Sequence, residues 1–309
     1  MDARLGREHA AACFNSPSTF NEPTLRSREY ALAALAEIER LQVDQPEILR
    51  KLLKGGNQGA KLLNTDPFQG LREVVQNADD LGATTVRFGT RTFNGRKQLV
   101  IVHDGAPVEL PHVLPMIYPF YSTKQDSAEL KGRFGIGLKT LGQLGSDLTI
   151  HSPPFHFGSR DDHAAMVDEA SAIPGFYDPS AENTLFTIDL EPQYDHQSLK
   201  DWFGSWMPSD LVFLDRVHTV TLHDVDHDAD PEVLSIQQSQ SPEDFHLPVS
   251  GFPSKVSRTT FYVAGCNWVR FVCQVKVPAG LARTAKATGD FSPISIALPV
   301  DGGTQGCCR

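Results

Sequence analysis

No apolar run in these 309 residues approaches the eighteen or so that a membrane helix needs, and the opening Met1-Asp-Ala-Arg-Leu-Gly-Arg-Glu-His9 lacks the apolar core of a secretory signal. Cysteine is scarce. Cys13, Cys266, Cys273, Cys307 and Cys308 form no CxxC pair and no zinc-like spacing, and their number is odd. These absences exclude a disulfide scaffold and argue against a membrane protein. They set the expectation of a reducing, cytoplasmic setting, with a nuclear one still open. Bases are nearly missing from the middle of the chain: Asp161 to Asp244 holds nineteen acids against Lys200 and Arg216 alone, a net of −17 within a total of −10. That field repels nucleic acid and leaves mildly basic flanks, so nucleic acid is not the expected partner. HExxH, Gly-x-Ser-x-Gly and internal repeats are also missing.

What is present divides into three parts. Residues 1–60 read as a loose polar leader, with Pro17 and Pro23, followed by a helical extension. Tyr30, Leu32, Leu35, Ile38 and Leu41 recur at three- and four-residue steps, and Pro46 opens a second helix. Residues 61–190 carry the densest signals. Asp66-Pro67 starts a helix whose stripe is Phe68, Leu71, Val74, Val75, Ala78 and Leu81, stopped by Gly82. Strands are expected over 85–93 and 97–103 around an Asn94-Gly95 turn, and again over 148–152 and 184–190. Residues 106–131 read as irregular, and 137–144 as helical. In 191–309 a helix is expected near 199–202, strands over 217–223 and 259–263, and a long acidic surface loop over 224–250.

Three stretches carry chemistry. Glu73, Asn77 and Asp80 lie at i, i+4 and i+7, together on one helix face. Such a face is ordinarily just solvated; as a site, Asn77 offers Mg²⁺ a neutral oxygen and Glu73, one turn away, can deprotonate a water. His103-Asp104-Gly105-Ala106-Pro107 puts an acid beside a glycine at a strand end. Gly132-Arg-Phe134-Gly135-Ile136-Gly137-Leu-Lys139-Thr140 is a glycine-rich turn entering a helix, where backbone N–H groups can face phosphate oxygens. It is not a P-loop, since Leu138 precedes Lys139-Thr140, nor a Rossmann fingerprint, since Thr140 stands where a small residue is needed.

Taken together the motifs resemble the ATP site of the Bergerat-fold (GHKL) superfamily, and Gln76-Asn77-Ala78-Asp79-Asp80-Leu-Gly82-Ala83-Thr84 resembles its sacsin-like branch, related to the ninety-kilodalton heat-shock chaperones. Phe120-Tyr-Ser122-Thr123-Lys124 and Asn183-Thr184 are similar to further parts of that pattern. The resemblance implies an α/β, or α+β two-layer, sandwich with a mixed sheet, helices on one face, and ATP with Mg²⁺ held beneath a lid that closes on the nucleotide. It implies Glu73 as general base, Asn77 as the Mg²⁺ ligand and Asp80 in support. Asp104 and Gly105, with Thr184, would meet adenine. Gly132, Phe134, Gly135, Ile136, Gly137 and Thr140 would form the phosphate loop, and Lys139 and Lys124 would lie near the γ-phosphate. One departure stands out: aligned through Gly105, the family's adenine-binding acid falls on His103, with Asp104 one place late, and Pro107 replaces a glycine.

The implied activity is Mg²⁺-dependent ATP hydrolysis in a chaperone-like module acting on a protein client or partner, with a dimer among the implied assemblies. The alternatives are a non-hydrolysing nucleotide switch, a histidine-kinase-type ATPase without its phosphoacceptor context, and a DNA-repair ATPase. His223-Asp-Val-Asp226-His227-Asp228-Ala-Asp230 offers metal ligands but reads as a solvated acidic loop, and Trp202 and Trp206 read as core. The apolar run Ile294–Val300 followed by a glycine-rich end sets the expectation that 191–309 is a partial second α/β domain with an exposed strand edge.

Overall fold

The computed structural model describes residues 1–16, 20–44, 66–117, 140–160, 163–227, 229–239, 243–249, 252–263, 266–275 and 294–299. Its helices are α1 (Asp2–Asn15), α2 (Arg28–Val43), α3 (Gln69–Asp80), α4 (Leu110–Ile117) and α5 (His196–Phe203). The first strands are β1 (Thr85–Phe93), β2 (Arg96–His103), β3 (Gly145–Ser152), β4 (Phe155–Arg160), β5 (His163–Met166) and β6 (Thr184–Leu190). They are followed by β7 (Thr219–Asp224), β8 (Glu232–Ser235), β9 (Gln237–Gln238), β10 (Glu243–Val249), β11 (Phe252–Val263), β12 (Cys266–Val275) and β13 (Ile294–Pro299).

Eight strands form one mixed sheet in the order β5-β4-β3-β6-β2-β1-β7-β8, antiparallel throughout except for the parallel pair β1 and β7. Period-two alternation sorts its side chains. Val86, Phe88, Leu99, Ile101, Ile150, Phe155, Phe157, Phe186, Ile188, Val220 and Leu222 join the helices in one large core. The opposite face carries a smaller cluster, in which Ile173, Phe176 and Tyr177 of an irregular segment cover Val100, Val102 and Leu185. The architecture is therefore the expected α/β sandwich: a mixed sheet with its helices on one face.

The hairpin between β1 and β2 turns at Asn94 and Gly95, both at positive φ (50° and 77°), the geometry that Asn-Gly supplies at low cost. α3 forms because Leu71, Val74, Val75 and Ala78 recur on one side, all buried, each large side chain contributing roughly 1.5–3 kcal/mol. Asp66 caps its approach by accepting from the Phe68 N–H at 2.9 Å and pairing with Arg72, so the regular helix begins two residues after Pro67.

Several expectations need correction. The leader is not loose, for α1 packs along α2 through Gly6, Ala10 and Cys13, a stripe of small residues that hydropathy does not reveal. Residues 106–131 are not uniformly irregular. α4 accommodates Pro111 in its first turn and Pro115 within it, and its apolar side carries Leu110, Val113 and Leu114 into the core. The 224–250 segment holds β8, β9 and β10, short or edge-type strands whose polar composition hides them. Beyond residue 190, β7 and β8 lie in the same sheet as β1 to β6. Cys266 is disulfide-bonded, unlike the reduced state that the cysteine pattern sets as the expectation.

The second sheet runs β10-β11-β12-β13, with β9 beside β11 and β13 at its edge. It is fastened to the first unit by polar contacts that converge on α3. Arg270, on β12 and only 8% exposed, donates to the Leu214 carbonyl at 2.7 Å and pairs with Asp215 at 3.0 Å. The next N–H groups in the chain, those of Asp215, Arg216 and Val217, all donate to the Asp79 carboxylate at 2.6–2.9 Å. Asp79 is 3% exposed. Removing it strands three N–H groups, at least one of them buried, each costing of order 1–3 kcal/mol. Asp79→Ala is expected to lower stability by about 3 kcal/mol or more in urea denaturation; a loss under about 0.5 kcal/mol would show that the carboxylate does not hold this loop.

Candidate functional site

On α3, Glu73, Asn77 and Asp80 are all half-buried, clear of the apolar stripe. Gln69, one turn earlier, donates to a Glu73 oxygen at 3.1 Å and steadies the carboxylate. Among the described residues no side-chain hydrogen bond engages Asn77, so its amide oxygen is available. An amide oxygen and a carboxylate one helical turn apart suit Mg²⁺, which accepts a few protein oxygens and fills the rest of its shell with phosphate and water. Among the described residues no cluster of three or more His, Cys, Asp or Glu side chains is placed to hold a metal.

Two glycines set how closely the other stretches approach this helix. A Cβ on Gly70 would stand 2.7 Å from the Leu141 nitrogen and 2.8 Å from the Thr140 hydroxyl, so the missing side chain lets the end of the glycine-rich run lie directly on α3. Thr140 is buried there, ahead of a single 3-10 turn over Leu141–Gln143. A Cβ on Gly105 would stand 3.1 Å from the Leu81 carbonyl and from Ala83, and the Ala106 N–H donates to that same carbonyl at 2.8 Å. The strand end after β2 is thereby docked against the C-terminal turn of α3. Lys124, Gly132, Phe134, Gly135, Ile136, Gly137 and Lys139 lie outside the described residues.

The β2 end separates its two polar residues by strand alternation. His103 falls on the same side as Leu99 and Ile101, which is the helix side, and is 3% exposed. It pairs in register with Thr184 of β6, itself fully buried on that side. The Thr184 hydroxyl donates to Ser152 at 2.9 Å, and Ser152 also accepts from the Val108 N–H at 2.8 Å. Asp104 is instead exposed, and its carboxylate accepts from the Thr84 and Thr85 N–H groups at 2.8 and 2.9 Å and from the Thr84 hydroxyl at 2.5 Å. Burial raises its pKa, but these bonds outweigh burial and hold it below the usual carboxylate value. Asp104 is thus a clasp between the β2 end and the start of β1. The position facing the helices belongs to His103, while the Asp104 carboxylate is engaged by Thr84 and Thr85.

Sequence reasoning also passed over Asp79 in favour of Asp80. The available signal was position: Asp79 lies four residues after Val75, on the buried stripe, where a carboxylate demands partners. The His223–Asp230 cluster gathers no metal set among the described residues; His227 pairs with Asp224 at 2.9 Å instead. Trp202 is core, stacked 5.9 Å from Phe68 and edge-on to Phe88.

A second buried histidine sits on the other face of the sheet. His151 of β3 and His156 of β4 pair across the ladder with their Nδ1 atoms 3.2 Å apart, and His151 Nε2 lies 2.9 Å from the Thr149 hydroxyl. Burial, then the neighbouring His156 and Arg91, pull the His151 pKa down to about 4; burial does the same for His103, opposed by Asp104.

No known family profile matches this chain, and no curated protein matches it. Among solved structures it is similar to the topoisomerase IV ATP-binding domain of Francisella tularensis in complex with a small-molecule inhibitor, at 11% identity and a TM-score of 0.33, over 53% of this chain and 84% of that one. No helix among the described residues is long and apolar enough to cross a membrane.

The two imidazoles pulled down to about 4, His103 and His151, generate a pH dependence. Between the ordinary histidine value of 6.5 and about 4, the unfolded chain binds protons that the folded chain refuses, so stability falls as pH is lowered through that window. Each histidine accounts for about 3 kcal/mol at most. The urea midpoint should drop between about pH 7 and about pH 5, and His151→Asn should flatten the drop. A slope that His151→Asn leaves unaltered would show that this ring is not held neutral by burial.

Proposed function

We propose that this chain is an ATP-binding, Mg²⁺-dependent ATP-hydrolysing module of Bergerat type, resembling the sacsin-like and heat-shock-90-like ATPases. The observation that carries the reading is convergence. Three stretches distant in sequence meet around α3: its own Glu73–Asn77 face, the end of the glycine-rich run packed on Gly70, and the β2 end docked beneath its last turn with His103 beside Thr184. Unrelated solvated faces and loops have no reason to meet in this way. In this reading Asn77 binds Mg²⁺ through its amide oxygen, and the ion supplies charge neutralisation at the phosphates. Glu73, oriented by Gln69, takes the proton of the attacking water. Asp80 lies one turn beyond Asn77 and supports the polar face. Lys139 and Lys124, with Gly132 to Gly137, are assigned to the phosphates by resemblance, as are a chaperone-like role on a protein client and a dimeric assembly.

The alternative is a nucleotide switch that binds without turnover, and Glu73 separates the two. Asn77→Ala is expected to weaken Mg²⁺-dependent ATP binding at least about tenfold, since the metal loses its protein ligand. Glu73→Ala should keep binding and lower turnover by about 10²–10⁴-fold. Calorimetry and phosphate release measure the two. Unchanged affinity in a folded Asn77→Ala protein would overturn the site, and wild-type binding without turnover would favour the switch.

A further inference from the structure

The end of β2 departs from the resembling proteins in the kind of hydrogen bond it can offer. The Gly105 N–H donates to Nδ1 of His103 at 3.2 Å, within a buried turn. A backbone amide can only donate, so Nδ1 presents a lone pair, and a neutral imidazole in that state carries its proton on Nε2. Burial keeps the ring neutral, pulling its pKa from 6.5 to about 4. The ring lies on the helix side of the sheet, in register with Thr184 and 5.8 Å from the ring of Phe186. Among the described residues no hydrogen-bond partner meets Nε2. An N–H donor therefore stands where the resembling proteins place a carboxylate acceptor for the adenine amino group.

We propose that His103 reads the nucleotide base through this Nε2–H, so that the pocket does not single out ATP and takes 6-oxopurine triphosphates, ITP and GTP, at least as well. The proposal rests on the nucleotide-site reading above. A carboxylate matches the 6-amino group of adenine and repels a 6-oxo oxygen. A ring N–H does the reverse: it meets the 6-oxo oxygen as an acceptor, whereas opposite an amino group two donors face one another. A mismatched buried donor costs about 1–3 kcal/mol, or about 5- to 150-fold in affinity.

The test is calorimetry on the full chain with Mg²⁺ and, separately, ATP, ITP and GTP. ITP is the deciding probe, since it carries the 6-oxo group without the extra 2-amino group of guanine. Wild-type protein should bind ITP at least as tightly as ATP. His103→Asp, which restores an acceptor, should shift the ratio at least about tenfold towards ATP, while His103→Asn, with an oxygen for Gly105 and an N–H for the base, should keep the wild-type order. Wild-type preference for ATP over ITP by about tenfold or more overturns the proposal and leaves the nucleotide site standing, and so does a folded His103→Asp protein with the wild-type ratio. Failure of all three nucleotides to bind overturns the site itself. If His103→Asp does not fold, the wild-type ITP-to-ATP ratio still decides.

Discussion

The carboxylate of Asp79 is the constraint on which the arrangement turns. It is a charge inside the protein, and such a group is tolerable only when its lone pairs are filled. Three consecutive N–H groups of residues 215–217 fill them. This fixes the C-terminal turn of α3 against the segment that leads into β7, the strand that pairs in parallel with β1. Arg270 then ties the second sheet to the same segment through Leu214 and Asp215. The helix bearing Glu73 and Asn77 is thus held at one end by a buried acid, and a tilt of that helix must be borne by the contacts of both sheets.

The β2 end shows how a one-residue shift reassigns chemistry. In a strand, neighbouring side chains point to opposite faces, so His103 and Asp104 cannot both serve the helix side. The charged member takes the exposed position and spends its carboxylate on Thr84 and Thr85, tying β2 to the start of β1. The neutral ring takes the buried position, where an unpaired carboxylate would be costly. Desolvation and alternation together determine which residue faces the helices.

Much of this was legible in the sequence because local signals agreed. The Asn94-Gly95 turn, the α3 stripe and the strand over 184–190 follow from periodicity and turn chemistry alone. The convergence of motifs was legible only through resemblance, since nothing in their spacing requires Gly70 to meet Thr140. What was missed has a common cause: the residues concerned act through partners distant in the chain. α1 is held by small side chains against α2. β8 gains strand structure only by pairing with β7. Asp79 and Asp80 are chemically identical, and helical phase alone distinguishes the buried one. α4 was obscured by its prolines, although Pro111 needs no N–H in the first turn.

The floor of the candidate site carries a further consequence of burial. Thr184 is fully enclosed, and its hydroxyl is committed to Ser152, which also accepts from Val108. The Val108 carbonyl in turn accepts from Arg26 at 2.9 Å, and the Leu110 N–H donates to the Thr24 hydroxyl at 3.1 Å. The residues ahead of α2 are therefore bonded to the chain around α4, which is bonded to the β3 and β6 ends beside His103. A hydroxyl that donates to Ser152 keeps its own lone pairs, but with no exposed surface Thr184 acts here as an enclosed link of that chain. The N-terminal segment is in this sense part of the site's support: loosening Thr24 or Arg26 frees the 108–110 backbone, then Ser152, and only then the residue opposite His103.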